Sequence, residues 1–279
     1  MSLETIQSII VPLLGDNVLG IIVFGSASRL EDFSPLSDVN VAIITRDKIS
    51  LEERVLIAEE LGQDVSTLIL TIDELKKLLE DGEFLAHELL GDSKLIYADE
   101  TLYEVISKKP PITTRTLEYL EKNALACLNL SLENYFTGRF HDSLNYAYRS
   151  LRSAVRLLCT RENRLLFKDR EILAFLEEKG LRDEANIYRK LRSGRFRGIG
   201  KGELFKTLIA TYTAVFSLLG FKGVDPEKLV DYVEKNYAYI SYIKIIPIEN
   251  HLQVTIKGLD LSGKEVYSEF YLTGGSPLG

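Results

Sequence analysis

IIVFGSASRLEDFSPLSDVNVAII, residues 21–44, decides how the first part of the chain is read. One apolar run ends at Phe24, a Gly-Ser turn follows, and a second apolar run opens at Val39. Both runs are short and apolar and read as strands, the second as a continuous apolar run. Gly25 lets the backbone turn sharply and approach a ligand closely. With Ser26 it places backbone N–H groups where a phosphate is cradled, between a strand and the turn that follows it. Asp38 and Asn40 stand at i and i+2 of the second strand and so share a face. Carboxylates spaced in this way are natural ligands for Mg2+, which takes hard oxygen donors.

Outward from this stretch, residues 1–108 alternate helical and strand patterns: helix 2–14, strands 19–24, 39–44 and 65–71, helices near 51–61, 72–79 and 85–90, and a last short strand at 94–99. KKPPITT, from Lys108 to Thr114, is the best linker, because paired prolines cannot continue a helix. From Thr114 to about Gly220 the pattern is helical. Asp225-Pro226 caps and starts one more helix. The tail has three strand-like runs, with turns at Glu249-Asn250 and Ser262-Gly263. The expectation is an α+β fold with three parts: a small mixed-sheet domain over 1–108, a helical bundle over 109–224, and a C-terminal helix with a β-meander over 225–279.

Of the 279 residues 46% are hydrophobic, enough for a sizeable core. No run of 18 apolar residues occurs and the first residues lack a secretory pattern, so neither a membrane span nor a signal is expected. Two cysteines, Cys127 and Cys159, fit buried thiols in a reducing cytoplasm better than a disulfide scaffold. Scarce Gln, absent Trp and abundant Glu, Lys, Arg and Ile lean towards a thermophile. The net charge of −7 is unevenly spread: residues 139–202 hold 16 of the 34 Lys and Arg but 8 of the 41 Asp and Glu. Such segregation points to a basic face for a polyanion.

Transfer of a nucleotide needs a gripped triphosphate and, typically, two metal ions that stabilise the attacking and leaving oxygens. Two carboxylates from one strand and a third from the next would hold them. Here the chain resembles the polymerase-beta-type nucleotidyltransferase superfamily, whose pattern is Gly-Ser, a spacer, then Asp-x-Asp. The eleven residues between Ser26 and Asp38 are similar to the spacer of CCA-adding enzymes. The resemblance covers residues 1–108. It implies that Gly25, Ser26 and Arg29 bind nucleotide, that Asp38 and Asn40 hold metal, and that Asp38, Asn40 and Asp64 form the catalytic set, with Mg2+ and an NTP as cofactors. The departures matter as much. Asn40 stands in place of the second Asp, and its amide brings no negative charge. Leu30 replaces a usual glycine. In the next strand Ser66 and Thr67 occupy the positions expected for the third acid, and Asp64 is the only carboxylate nearby, at the strand's edge. The resemblance therefore implies a degenerate site.

Residues 114–220 resemble a HEPN-type helical bundle, a frequent partner of minimal nucleotidyltransferases. Nuclease members carry an Arg followed four to six residues later by His. Here Arg161 and Arg164 are followed by no His until His251, which argues against ribonuclease chemistry, and His141 fits packing or capping. Two basic stretches suit phosphate contacts. Arg149, Arg152 and Arg156 are spaced i, i+3, i+7 and share a helix face. YRKLRSGRFRGIGKG, from Tyr188 to Gly202, carries Arg189, Lys190, Arg192, Arg195, Arg197 and Lys201 with no acid, and its glycines give it a loop-like reading, with Phe196 as a stacking ring.

The favoured reading is a catalytically impaired nucleotidyltransferase-fold protein that binds RNA or a ribonucleoprotein, tRNA or a ribosomal particle, as a regulator. The alternatives are an active Mg2+-dependent transferase moving a nucleotide from an NTP to RNA, protein or a small molecule, and an antitoxin-like or assembly protein, with a homodimer through the bundle or the β-tail.

Overall fold

The computed structural model describes residues 3–29, 39–221, 225–248 and 251–272, apart from the side chain of Pro247. The chain divides into two compact units, Met1–Leu117 and Glu118–Gly279.

In the first unit the elements run α1 (Leu3–Leu14), β1 (Val18–Phe24), β2 (Val39–Thr45), α2 (Leu51–Leu61), β3 (Val65–Thr71), α3 (Ile72–Asp81), α4 (Phe84–Gly91), β4 (Ser93–Ala98) and α5 (Glu100–Ile106). The sheet order is β3-β2-β1-β4, with β2 and β3 parallel and β1 antiparallel to both neighbours. Alternation along the strands feeds two cores. Ile21, Val23, Val41 and Ile43 meet Ile6 and Ile10 of α1 and Ile57 and Leu61 of α2. Leu19, Ile22, Ala42 and Ile44 meet Leu75 and Leu79 of α3, Leu89 of α4 and Leu102 of α5. The sheet is thus covered by helices on both faces, which is why β1 and β2 read as unbroken apolar runs.

Local chemistry starts the helices. Ser50 and Glu53 form a capping box at α2, as do Thr71 and Glu74 at α3. Of the α2 residues available to a core face, Ile57 and Leu61 are buried, whereas Leu51 is 76% exposed. Helix α5 was not visible in the sequence. It lies on Gly20, where a Cβ would fall 2.0 Å from Leu102 Cδ2. Residues 107–113 hold neither helix nor strand. The next helix, α6 (Thr114–Phe136), begins inside the first unit, where Thr113 Oγ1 donates to Asp81 O at 2.8 Å and Thr116 Oγ1 to Gly82 O at 2.6 Å.

The second unit continues through α6, α7 (Phe140–Arg161), α8 (Asp169–Glu178), α9 (Arg182–Arg197), α10 (Lys201–Leu219), α11 (Pro226–Asn236), β5 (Tyr239–Ile248), β6 (His251–Leu259) and β7 (Glu265–Leu272). Helix α7 is the central member, with Leu144, Ala147, Tyr148, Leu151, Ala154 and Val155 all buried. Hydroxyls pin α6 to its neighbours: Ser150 Oγ donates to Ala124 O at 2.7 Å and Tyr212 Oη to Leu128 O at 2.8 Å. Asp225 caps α11 by accepting from Glu227 N, with Pro226 at its first position.

One expectation is corrected here. The stretch from Tyr188 to Arg197 is helix, not loop. Ala185, Tyr188 and Leu191 recur every three residues and are buried, and that apolar stripe outweighs the low helix propensity of Gly194. Gly194 itself allows close approach to α7, since a Cβ there would lie 3.0 Å from Leu144 Cδ2. Only the residues after Arg197 leave the helix, through Gly198 at φ +74.

The tail is an antiparallel meander in the order β5-β6-β7. Helix α11 covers one of its faces: Tyr232 packs against Phe270 with the rings tilted and their centroids 4.6 Å apart, and Tyr232 and Tyr237 hydrogen-bond to Ser268. The Ser262-Gly263 turn is held by Asp260, which accepts from Ser262 N, Ser262 Oγ and Lys264 N. The expected turn at Glu249-Asn250 lies outside the described residues. Among the described residues no helix is long and apolar enough to cross a membrane.

Candidate nucleotide site

Strand β1 ends at Phe24 and the chain enters a short 3-10 turn, Gly25–Ser28. Gly25 has φ +72, the left-handed region that favours glycine. Its Cβ position would meet Asn40 Nδ2 at 3.5 Å, an ordinary contact, so the dihedral and not space demands glycine. The turn is fastened from below by Asp92, at the C-terminal end of α4. Gly25 N donates to Asp92 O at 3.2 Å. Ser28 Oγ lies 2.7 Å from Gly25 O and 3.0 Å from Asp92 O. Arg29 pairs with the Asp92 carboxylate, and both side chains are buried. Arg29 therefore braces the turn through Asp92. Ser26 is half-buried, and its hydroxyl makes no hydrogen bond to a described residue.

The strand register places the rest. Phe24 faces Asn40 across β1 and β2, and Asn40 faces Ser66 across β2 and β3. Asn40 lies on the face of Ala42 and Ile44, and Ser66 on that of Leu68 and Leu70, the same side of the sheet. Thr67 pairs with Val41 and takes the opposite face. Of the two residues considered for the third acid, Ser66 is thus the one beside Asn40, and it offers a hydroxyl. Asp64 precedes β3 and is exposed; its carbonyl accepts from Val39 N at 3.0 Å, which sets it beside the start of β2. Asp38 lies outside the described residues.

The described groups suit a phosphate cradle. A left-handed glycine, a serine hydroxyl with no bond to a described residue and a braced turn are what an anion-binding loop needs. For Mg2+, Asn40 and Ser66 supply oxygens without charge. Among the described residues no three His, Cys, Asp or Glu side chains gather as a metal cluster. No sequence signal points to Asp92 or Ser28; their roles arise because β1 lies between β2 and β4, which brings Ser93 opposite Phe24.

In the second unit the expected basic residues part company. Arg149 is exposed, with its guanidinium over the Tyr146 ring at 5.7 Å. Arg152 is half-buried and lies over Tyr148. Arg156 is buried, donates to Leu166 O and Phe167 O, and so serves the interior; the three do not form one exposed face. Arg195 lies 4.4 Å over the Tyr148 ring and donates to Asn145 Oδ1 at 2.8 Å. Lys190 pairs with Glu203, Arg189 with Glu177, and Lys201 lies over Phe140. Arg192 Nε reaches Asp169 at 2.9 Å, and Arg197 has no ion-pair partner among the described residues. His141 is exposed, with Nδ1 3.2 Å from Asn145 Nδ2. Both cysteines are buried, and burial pushes the Cys159 thiol up to about 12, so it is inert at neutral pH.

Residues 4–101 match the family described as Polymerase beta, Nucleotidyltransferase, so the first unit carries a nucleotidyltransferase-type domain. Among solved structures the chain is similar to spectinomycin adenyltransferase AAD(9) from Enterococcus faecialis, determined with ATP and spectinomycin. The two share 13% identity and a TM-score of 0.55, over 77% of this chain and 97% of that one. A nucleotidyltransferase-like protein from Exiguobacterium sibiricum aligns over 100% of both chains at 15% identity with a TM-score of 0.34. At such identities likeness speaks for fold alone, and of these two the adenyltransferase match is the one close enough to carry that. None of the curated proteins matches the chain.

Proposed function

We propose that this chain binds a nucleoside triphosphate at the Gly25–Ser28 turn, is impaired in nucleotide transfer, and acts as a regulator that binds RNA or a ribonucleoprotein. The observation that carries the reading is the pairing of Asn40 with Ser66 on one sheet face. Transfer by two metals asks for carboxylates at those positions, and an amide and a hydroxyl cannot neutralise a dication. Gly25 and Ser26 would cradle the phosphates. Mg2+, held by Asp38 with the Asn40 oxygen beside it, would screen the triphosphate charge. The asymmetric charge of residues 139–202 supports the RNA-binding half of the reading.

Titration calorimetry with ATP, CTP, GTP and UTP, with and without Mg2+, tests it, beside the variant Asp38→Ala. Magnesium-dependent binding that the variant loses, without labelling of any acceptor by α-labelled NTP, is the expected result. Absence of binding by every NTP would remove the nucleotide half.

A second reading rests on one observation. The fold match to spectinomycin adenyltransferase spans 77% of this chain, well beyond the first unit. On that reading the protein transfers adenylate to a small hydroxyl compound: the hydroxyl oxygen attacks the α-phosphorus, pyrophosphate leaves, and the hydroxyl proton passes to a carboxylate such as Asp64. NTP-dependent labelling of a small acceptor, abolished in Asp38→Ala, would favour it over the regulator.

A further inference from the structure

Helices α8 and α9 border an open groove of about 350 Å³ lined by Leu173, Arg189, Arg192, Ser193, Phe196 and Arg197. Phe196 is 48% exposed, so part of its ring is open on the groove wall beside the arginines. Beneath the groove lies a buried polar cluster. Asp169 is nearly sealed from solvent; its Oδ1 accepts from Tyr148 Oη at 2.5 Å and Tyr188 Oη at 2.8 Å, and its Oδ2 accepts from Arg192 Nε at 2.9 Å. Burying a carboxylate is costly unless it is fully partnered. Here two buried tyrosines and the carboxylate fix the orientation of one arginine that also lines the groove. Arg189 is likewise held, by Glu177 and Asn186. Arg197, at the end of α9, has no ion-pair partner among the described residues.

We infer that this groove is a binding site for single-stranded RNA, taking one nucleotide with its base stacked on Phe196 and its phosphate on Arg197 and Arg192. The inference rests on the reading of the chain as RNA-binding and names where and how it binds. Three features select this ligand. The volume lies within the range of small-ligand sites. An exposed ring beside guanidinium groups is the arrangement that holds unpaired bases, since stacking needs a π-face that duplex strands keep buried. Arg192, oriented through its Nε by Asp169, loses little freedom when it meets a phosphate. The two ion pairs leave the groove short of a strong cationic field, so stacking carries a large share of the affinity. Ser193, exposed on the same wall, donates to Lys190 O at 3.1 Å and can still accept from a ribose hydroxyl.

The test is fluorescence anisotropy of the full chain with labelled single-stranded RNA ten-mers, the same sequence as a duplex, and the matching single-stranded DNA, across a salt series. Phe196→Ala is expected to weaken single-strand binding by about tenfold, and Arg197→Gln to lower the salt slope by about one. Lys122→Gln, on an exposed part of α6 outside both the groove and the basic stretch, is expected to bind as wild type. Circular dichroism checks that each variant keeps its helices. If wild type binds RNA while Phe196→Ala and Arg197→Gln bind equally well, the groove is overturned and the RNA-binding reading stands on another surface. If wild type binds no RNA even at low salt, that reading fails and takes the groove with it. Equal affinity for duplex and single strand would overturn stacking, and preference for DNA would overturn RNA as the ligand.

Discussion

Arg29 and Asp92 form an ion pair that is buried on both sides and ties the turn after β1 to the end of α4. Gly25 N and Ser28 Oγ bond to the Asp92 carbonyl, so one residue holds the whole turn. Removing one partner of a buried pair strands the other charge, at a cost of about 3–5 kcal/mol. Arg29→Met is therefore expected to lower the urea midpoint sharply, and Arg29→Met with Asp92→Leu to recover much of the loss. A single variant as stable as wild type would show that the turn is held some other way.

Asn40 beside Ser66 makes a second prediction. Asn40→Asp restores a charge on the face that β2 and β3 share at that pair. Apparent affinity for Mg2+ in the presence of saturating ATP should rise about tenfold, or ~1.4 kcal/mol. Calorimetric titration with MgCl2 measures it. An unchanged affinity in Asn40→Asp would mean that no dication sits at this strand end.

Much of this was legible in the sequence and some was not, for physical reasons. The strands around Gly25-Ser26 announced themselves because helices cover both faces of the sheet, so β1 and β2 are apolar throughout. The choice between Ser66 and Thr67 was not legible, because a one-residue slip in register exchanges the faces and only the pairing of Asn40 fixes it. Helix α9 was hidden by Gly194 and the run of arginines. Its stripe of Ala185, Tyr188 and Leu191 is narrow, and its glycine serves close contact with Leu144. The fates of Arg156 and Asp92 were invisible too, since both depend on partners, Phe167 and Arg29, whose nearness is a matter of tertiary packing.

Asp169 predicts an acid limb to stability. Burial works to raise its pKa, but the hydrogen bond from Tyr148, the charge of Arg152, the bond from Tyr188 and the charge of Arg192 outweigh burial and leave it lowered. A carboxylate lowered on folding contributes stability that is complete above its ordinary value of 3.8 and is lost as pH falls through the folded value. Wild type should therefore lose thermal stability steeply below about pH 4, beyond the general effect of acid. Asp169→Asn should begin less stable at pH 7, because Arg192 loses its partner, and should show a shallower limb. Melting temperatures from pH 7 down to 3 compare the slopes, and parallel curves for the two proteins would refute this role.

His87 predicts a separate limb nearer neutrality. It is buried on α4; burial lowers its pKa below 6.5, and its hydrogen bond to the Pro111 carbonyl works the other way. Among the described residues its Nε2 has no hydrogen-bond partner, so a second proton there would be buried without an acceptor from them. As pH falls below 6.5 the unfolded chain takes up a proton that the folded chain resists, and stability drops until the folded pKa is reached. His87→Phe gives up the Pro111 bond, at a cost of about 1 kcal/mol, but leaves no titrating group. The expected result is that wild type is the more stable at pH 7.5 and that the gap narrows towards pH 5. Chemical denaturation at the two pH values measures the gap, and a gap that stays constant would show that His87 takes its proton equally well folded and unfolded.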